Sequence, residues 1–183
     1  MNEHKFNPEK QPAAKAGQIF DASPEDARAI AVIRKRGWET TYVDEEKGIT
    51  RADIDSRGMD DEDRIQRHQE RLKEPSENAH TWVVKVESQV VGFCEAVSGD
   101  YNEIKAVYIL PEFQSQGHGQ QLMQQAIEWI GRDKDIYLDV VDFNTRAIEL
   151  YKRLGFELTD KREFVQFKSG KFMQVLVMIK RHD

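Results

Sequence analysis

The run Gln114-Ser115-Gln116-Gly117-His118-Gly119 has the residue types and spacing to hold a phosphate on main chain alone. It joins an apolar stretch, Ala106-Val107-Tyr108-Ile109-Leu110, to an amphipathic pattern from Gln120 to Ile130, which reads as strand, tight turn, helix. The first amide N–H groups of a helix lack internal partners, and its aligned peptide dipoles add positive potential there, so a pyrophosphate can bind without a charged side chain. Glycines at 117 and 119 would clear Cβ atoms from the anion's path and permit unusual dihedrals. An ordinary strand-to-helix turn fits Gly-x-Gly equally well. The run lacks the Lys-Ser/Thr ending of a Walker loop and has one glycine too few for a dinucleotide fingerprint, so a different phosphate-bearing cofactor is expected.

A second block runs from Ile136-Tyr-Leu-Asp139 through Asn144-Thr-Arg-Ala-Ile-Glu-Leu-Tyr151 to Gly155-Phe156 and again reads as strand, loop, helix. Asn144 suits an N-cap, Ala147, Ile148, Tyr151 and Leu154 share one helical face, and Gly155 falls where a C′ residue belongs. Gln-x-x-Gly-x-Gly followed by Asn-x-x-Ala-Ile-x-x-Tyr-x-x-x-Gly-Phe resembles the GNAT superfamily of acetyl-CoA-dependent N-acyltransferases, over roughly residues 80 to 160. The resemblance implies an α/β fold whose mixed, mostly antiparallel central sheet carries helices on both faces. It also implies acetyl-CoA as co-substrate, no metal, and transfer of an acetyl group to an amine.

In such chemistry the amine must be neutral, the carbonyl polarised and the leaving thiol protonated. Deprotonating an alkyl ammonium of pKa about 10.4 at neutral pH costs roughly 4 to 5 kcal/mol, which a carboxylate base can offset. Two acids hold positions that the family uses. Glu103, five residues before Tyr108, matches a glutamate that acts through water, and is the first choice; Asp139, five residues before Asn144, stands where some members that acetylate protein N-termini carry a glutamate, and is one methylene shorter. By the same resemblance Tyr151 is the acid that protonates the coenzyme A thiolate, although a core tyrosine on an apolar helix face would look alike. Asn144 would contact the coenzyme, and the backbone of Val107, Tyr108 and Ile109 would pair with the pantetheine arm, the Ile109 amide polarising the carbonyl. That arrangement requires neighbouring strands to part.

The acceptor is less defined. Trp38, Tyr42, Asp44, Glu45 and Glu46, with further acids from Asp53 to Asp63, suggest a cationic small molecule; a peptide or protein amine is the alternative, and a non-catalytic acyl-CoA-binding regulator is the reading from another class. A net charge of −6 is compatible with cationic amines and argues against nonspecific nucleic-acid binding. No stretch approaches the roughly 18 apolar residues of a membrane span, so no membrane partner and a cytoplasmic location are expected. The single cysteine, Cys94, excludes an internal disulfide, suits a reducing compartment, and has no activating histidine in its local sequence.

These groups need elements to position them. At 183 residues the chain fits one domain, expected over 16–183 behind a polar, mobile tail over 1–15. A short strand is expected near Gln18 to Phe20. Ser23-Pro24-Glu25-Asp26 opens a helix that would end near Gly37, and a second helix runs from Asp60 to Lys73. Between them no long periodic segment is visible. A hairpin over Thr81–Val86 and Val90–Val97, a strand over Asn102–Leu110, a helix over 117–131, a strand over 136–141 and a helix over 144–154 follow. Strand-like runs over Glu163–Phe167 and Phe172–Ile179 close the chain, the last able to pair within the sheet or across a homodimer, so monomer and homodimer both stand.

Overall fold

The computed structural model describes residues 17–74, 76–131 and 133–182; the expected tail over 1–15 lies outside them. Seven strands form one sheet: β1 (Gln18–Asp21), β2 (Ala79–Val86), β3 (Gln89–Val97), β4 (Asn102–Ile109), β5 (Ile136–Val141), β6 (Glu157–Gln166) and β7 (Phe172–Lys180), in the order β1-β2-β3-β4-β5-β7-β6. Only β4 and β5 pair in parallel, so the sheet is mixed and mostly antiparallel, as expected. The helices are α1 (Ala27–Tyr42), α2 (Arg51–Asp55), α3 (Glu62–Lys73), α4 (His118–Ile130) and α5 (Thr145–Arg153).

Strand alternation divides the helices between two faces. Arg34 of α1 lies over the rings of Phe93 and Tyr108, which face each other across β3 and β4. One residue along β3, Cys94 partners Trp82 of β2, and Trp82 meets Trp129 of α4 edge to face at 5.6 Å. Successive side chains on a strand point to opposite faces, so α1 and α4 cover opposite sides. The core built this way joins Ile30 and Ile33 of α1, Val83, Val91 and Phe93 of the sheet, and Leu122, Met123 and Ala126 of α4, every one of them buried.

Two boundaries need correction, the end of the first helix and the start of β6. The first helix does not end at Gly37 but continues to Tyr42. Gly37 keeps helical backbone, and its missing side chain is filled by Tyr108: a Cβ there would sit 2.5 Å from that ring. The segment after it holds a short helix, α2, started by Thr50, whose N–H donates to the Asp53 carboxylate at 2.8 Å. Of the two placings open to the C-terminal strand, β7 takes the one within the sheet, between β5 and β6 of the same chain, while β6 begins at Glu157 rather than Glu163. No helix among the described residues is long and apolar enough to cross a membrane.

Candidate active site

The sheet opens where its one parallel pair stops. β4 and β5 are matched only at Asn102↔Ile136, Glu103↔Tyr137 and Ile104↔Leu138; beyond these, β4 stays with β3 and β5 stays with β7. A wedge-shaped cavity of about 510 Å³ runs through the gap, walled by Val107, Tyr108 and Ile109 on one side and by Leu138, Asp139 and Val140 on the other. Leu110 donates its N–H to the Val91 carbonyl at 2.8 Å. Hydrogen-bonding direction alternates along an antiparallel ladder, so Tyr108 also turns its backbone toward β3, whereas Val107 and Ile109 turn theirs into the wedge. The backbone contact expected of three residues is thus open to Val107 and Ile109. Part of it is already engaged, since Gln114 donates its side-chain amide to the Ile109 carbonyl at 3.0 Å.

The corner over 114–119 closes one end of the wedge, with α4 starting at His118 and Gly117 as its N-cap. Gly117 has φ 87 and open space where a Cβ would be, a left-handed conformation that L side chains rarely adopt. Gly119 lies inside the helix, where a Cβ would make only ordinary contacts at 3.7 Å with Ile109 and 3.8 Å with Leu150. Gln116 does not line the cavity and instead donates to the Glu112 carbonyl at 3.2 Å. His118 contributes its place at the helix start, but its ring is buried against Gly17, with neither ring nitrogen hydrogen-bonded among the described residues. Sequence reasoning missed Arg146 on the first turn of α5. Its guanidinium donates to Gln114 at 2.7 Å and to the Ser115 hydroxyl at 2.9 Å, which brings a cation to the corner proposed for phosphate. Its only signal was a basic residue two places after Asn144.

Asn144 lines the cavity and accepts the Ala147 N–H at 3.3 Å, which is the N-cap role its type suggested. Tyr151 lines the cavity from α5, only 7% exposed; burial, then the neighbouring Tyr108 and Cys94, push its phenol well above the usual value. Asp139 stands on the wedge wall, and loss of hydration there, followed by the carboxylates of Glu163 and Glu103, raises its pKa. Glu103 does not line the cavity and pairs with Lys105 at 2.9 Å. Cys94 is fully buried, and that burial drives its thiol far up, so no nucleophile is available there.

Tyr42 reaches the wedge, its hydroxyl 3.5 Å from that of Tyr108, and Trp38 packs edge to face on Tyr42 at 4.9 Å without lining the same cavity. The acids Asp44, Glu45 and Glu46 are not brought to the wedge: Asp44 pairs with Lys47 at 2.9 Å across a small turn, and Glu45 and Glu46 are exposed. Asp53, 4% exposed, is spent on Lys171 at 2.8 Å and on Ser169. Among the described residues, no group of three or more His, Cys, Asp or Glu is placed to hold a metal ion.

Comparison with solved structures finds the same fold at low identity. A PaiA N-acetyltransferase from Thermoplasma acidophilum in complex with coenzyme A is 19% identical, with TM-score 0.70 over 91% of this chain and 99% of that one. A ribosomal-protein-alanine N-acetyltransferase from Brucella melitensis is 22% identical, with TM-score 0.65 over 90% and 99%. The putative acetyltransferase yncA from Salmonella typhimurium, with its cofactor acetyl-CoA, is 21% identical, with TM-score 0.65 over 92% and 95%. The family model for the acetyltransferase (GNAT) family matches residues 40–156, a span that holds α2 and α3, the strands β2 to β5, the corner over 114–119 and all of α5. With the wedge, the corner and Tyr151 inside the matched span, this chain belongs to the acetyltransferase (GNAT) family.

Proposed function

We propose that the protein transfers an acetyl group from acetyl-CoA to the primary amine of a small molecule, by direct attack in a ternary complex without a covalent enzyme intermediate. The observation that carries this reading is the wedge between β4 and β5, with Tyr151 on one wall and the corner over 114–119 at its mouth. The residues there suit the ligand: unpaired strand amides for an extended arm, a helix start and Arg146 for a diphosphate. When bound, acetyl-CoA supplies the acyl group and a thiol as leaving group.

The chain's own groups divide the remaining work. The Ile109 amide, turned into the wedge, is placed to polarise a carbonyl. Tyr151, held protonated by its burial, can give a proton and cannot act as a base near neutrality. Asp139 is the carboxylate on the wedge wall, and its raised pKa makes it a better base than an ordinary aspartate, acting directly or through water. Glu103 serves by its charge beside Asp139 while Lys105 holds it. The absence of Asp44, Glu45 and Glu46 from the wedge weakens the case for a cationic acceptor.

The test is thiol release from acetyl-CoA against a panel of small amines and N-terminal peptides, beside thermal stabilisation by coenzyme A. Turnover of a small amine supports the reading. Preferential turnover of a peptide would replace the acceptor class, and stabilisation with no turnover on any amine would point to a non-catalytic binder.

A further inference from the structure

On the α1 face a second cavity, of about 300 Å³, lies between α1, α3 and the strands β3 and β4. Its walls carry Arg34, Arg57, Arg64, Arg71 and Lys105 against one carboxylate, Glu95, in a chain whose net charge is −6. Two of these cations are already neutralised, Arg34 by Glu95 at 2.7 Å and Lys105 by Glu103 at 2.9 Å. Arg57, Arg64 and Arg71 enter no ion pair among the described residues. Arg64 donates to the Arg57 backbone carbonyl at 2.9 Å, which ties the start of α3 to the loop that carries Arg57. The Arg57 guanidinium lies 4.5 Å over the Trp38 ring and 6.0 Å from that of Phe167, so aromatic faces fix its plane while its N–H edges stay free for a ligand.

A solvated basic patch would spread such charges on a convex surface. Here they line one hollow, Arg57 half-buried and Arg64 and Arg71 open to solvent, and loss of hydration followed by the neighbouring Arg64 lowers the Arg57 pKa. This hollow also adjoins the wedge: Tyr108 and Lys105 line both cavities. A molecule with its nitrogen beside Asp139 would therefore lay its other end across the Tyr108 ring and among the arginines.

We infer that this second cavity is an anion subsite of the acceptor, and that the acceptor is a small primary amine which also carries a carboxylate or a phosphate. The inference rests on the transfer reading above and reverses the polarity that the sequence alone suggested. Guanidinium forks bind both anions in two-point fashion, so the shared chemistry is the negative charge and a pair of acceptor oxygens on one central atom.

The test compares matched amines: leucine with leucinamide, glucosamine 6-phosphate with glucosamine, and spermidine as the cationic extreme. The anionic member of at least one pair is expected to show a kcat/KM tenfold or more above its neutral partner and above spermidine, the pair concerned telling carboxylate from phosphate. In the Arg57→Gln, Arg64→Gln double variant KM for that amine should rise tenfold or more with kcat changed less than threefold, and Arg57→Lys should recover part of the loss. Calorimetry with coenzyme A checks that the variants stay folded. Should they not fold, inorganic phosphate or succinate added to the wild-type protein is expected to raise KM for the favoured anionic amine while leaving KM for leucinamide and for acetyl-CoA unchanged. Equal or better turnover of the neutral or cationic amines, or of a peptide, would overturn the subsite and leave acetyl transfer standing. No thiol release with any amine would remove the transfer reading, and this inference with it.

Discussion

Tyr151 and Asp139 both line one gap, and their surroundings shift both groups upward. A phenol that is hard to ionise stays a proton donor, so Tyr151→Phe is expected to lower kcat by about 10²-fold while acetyl-CoA affinity, read by calorimetry, holds. As the base we propose, Asp139 would work only when ionised. Its pKa lies above the ordinary 3.8, so activity should fall as pH drops through that raised value, giving kcat/KM an acid limb. Glu163→Gln removes a negative neighbour, lowers the Asp139 pKa and should move the limb to lower pH; a limb that stays or moves upward would exclude Asp139 as its source. Asp139→Asn should reduce turnover far more than Glu103→Gln, because Lys105 already engages Glu103 away from the gap. The tyrosine and both acids were legible as candidates in the sequence. The ranking we propose, Asp139 ahead of Glu103, was not, because it depends on where two strands part company.

Helix α1 shows how local signals mislead when packing decides. Glycine at 37 reads as a stop, yet here it admits the Tyr108 ring against the helix backbone. Alanine has the higher helix propensity, by up to about 1 kcal/mol, so Gly37→Ala should stabilise an isolated helix. In the folded chain its Cβ would meet Tyr108 at 2.5 Å, and overpacking of this kind costs about 1–3 kcal/mol. The expected net result is a lower urea midpoint, together with a raised KM for the amine because Tyr108 is displaced at the gap. Where residue pattern and element agreed, boundaries came out closely: the strand expected over 136–141 is observed at Ile136–Val141, and the helix expected over 144–154 at Thr145–Arg153. The short helix α2 did have a visible start in Thr50-Arg51-Ala52-Asp53, a capping residue and an acid three apart, but five residues are too few for a periodic pattern. β6 was read too short because most of its side chains face solvent, which removes the alternation that announces a strand. The arginine hollow was illegible for another reason: its members come from α1, from the loop after α2 and from α3, and only the tertiary fold brings them together.

At the scale of the whole chain, Asp53 fastens α2 to the turn between β6 and β7 through Lys171 at 2.8 Å and the Ser169 hydroxyl. Hydrogen bonds from Lys171, Ser169 and Thr50 hold its carboxylate far below its ordinary 3.8. A depressed carboxylate contributes stability that is present above its unfolded pKa and lost as pH falls toward the folded one. Asp53→Asn should therefore unfold at lower urea than wild type at pH 7, and the gap between them should close as pH falls below about 4. A gap that stayed constant into acid would mean that the tether acts by shape alone.

The parallel seam between β4 and β5 has three rungs, at Asn102, Glu103 and Ile104, and among the described residues it is the one strand pairing between two leaves of sheet, β1 to β4 and β5, β7, β6. A ligand arm lying in the unzipped part would act as a splint, donating to and accepting from both leaves along a line where the protein has left its own edges bare. Coenzyme A at about a hundredfold over its Kd should then raise stability by about 2.7 kcal/mol, with amide exchange slowing most at Val107 and Ile109, so that the sheet is completed by the molecule it holds.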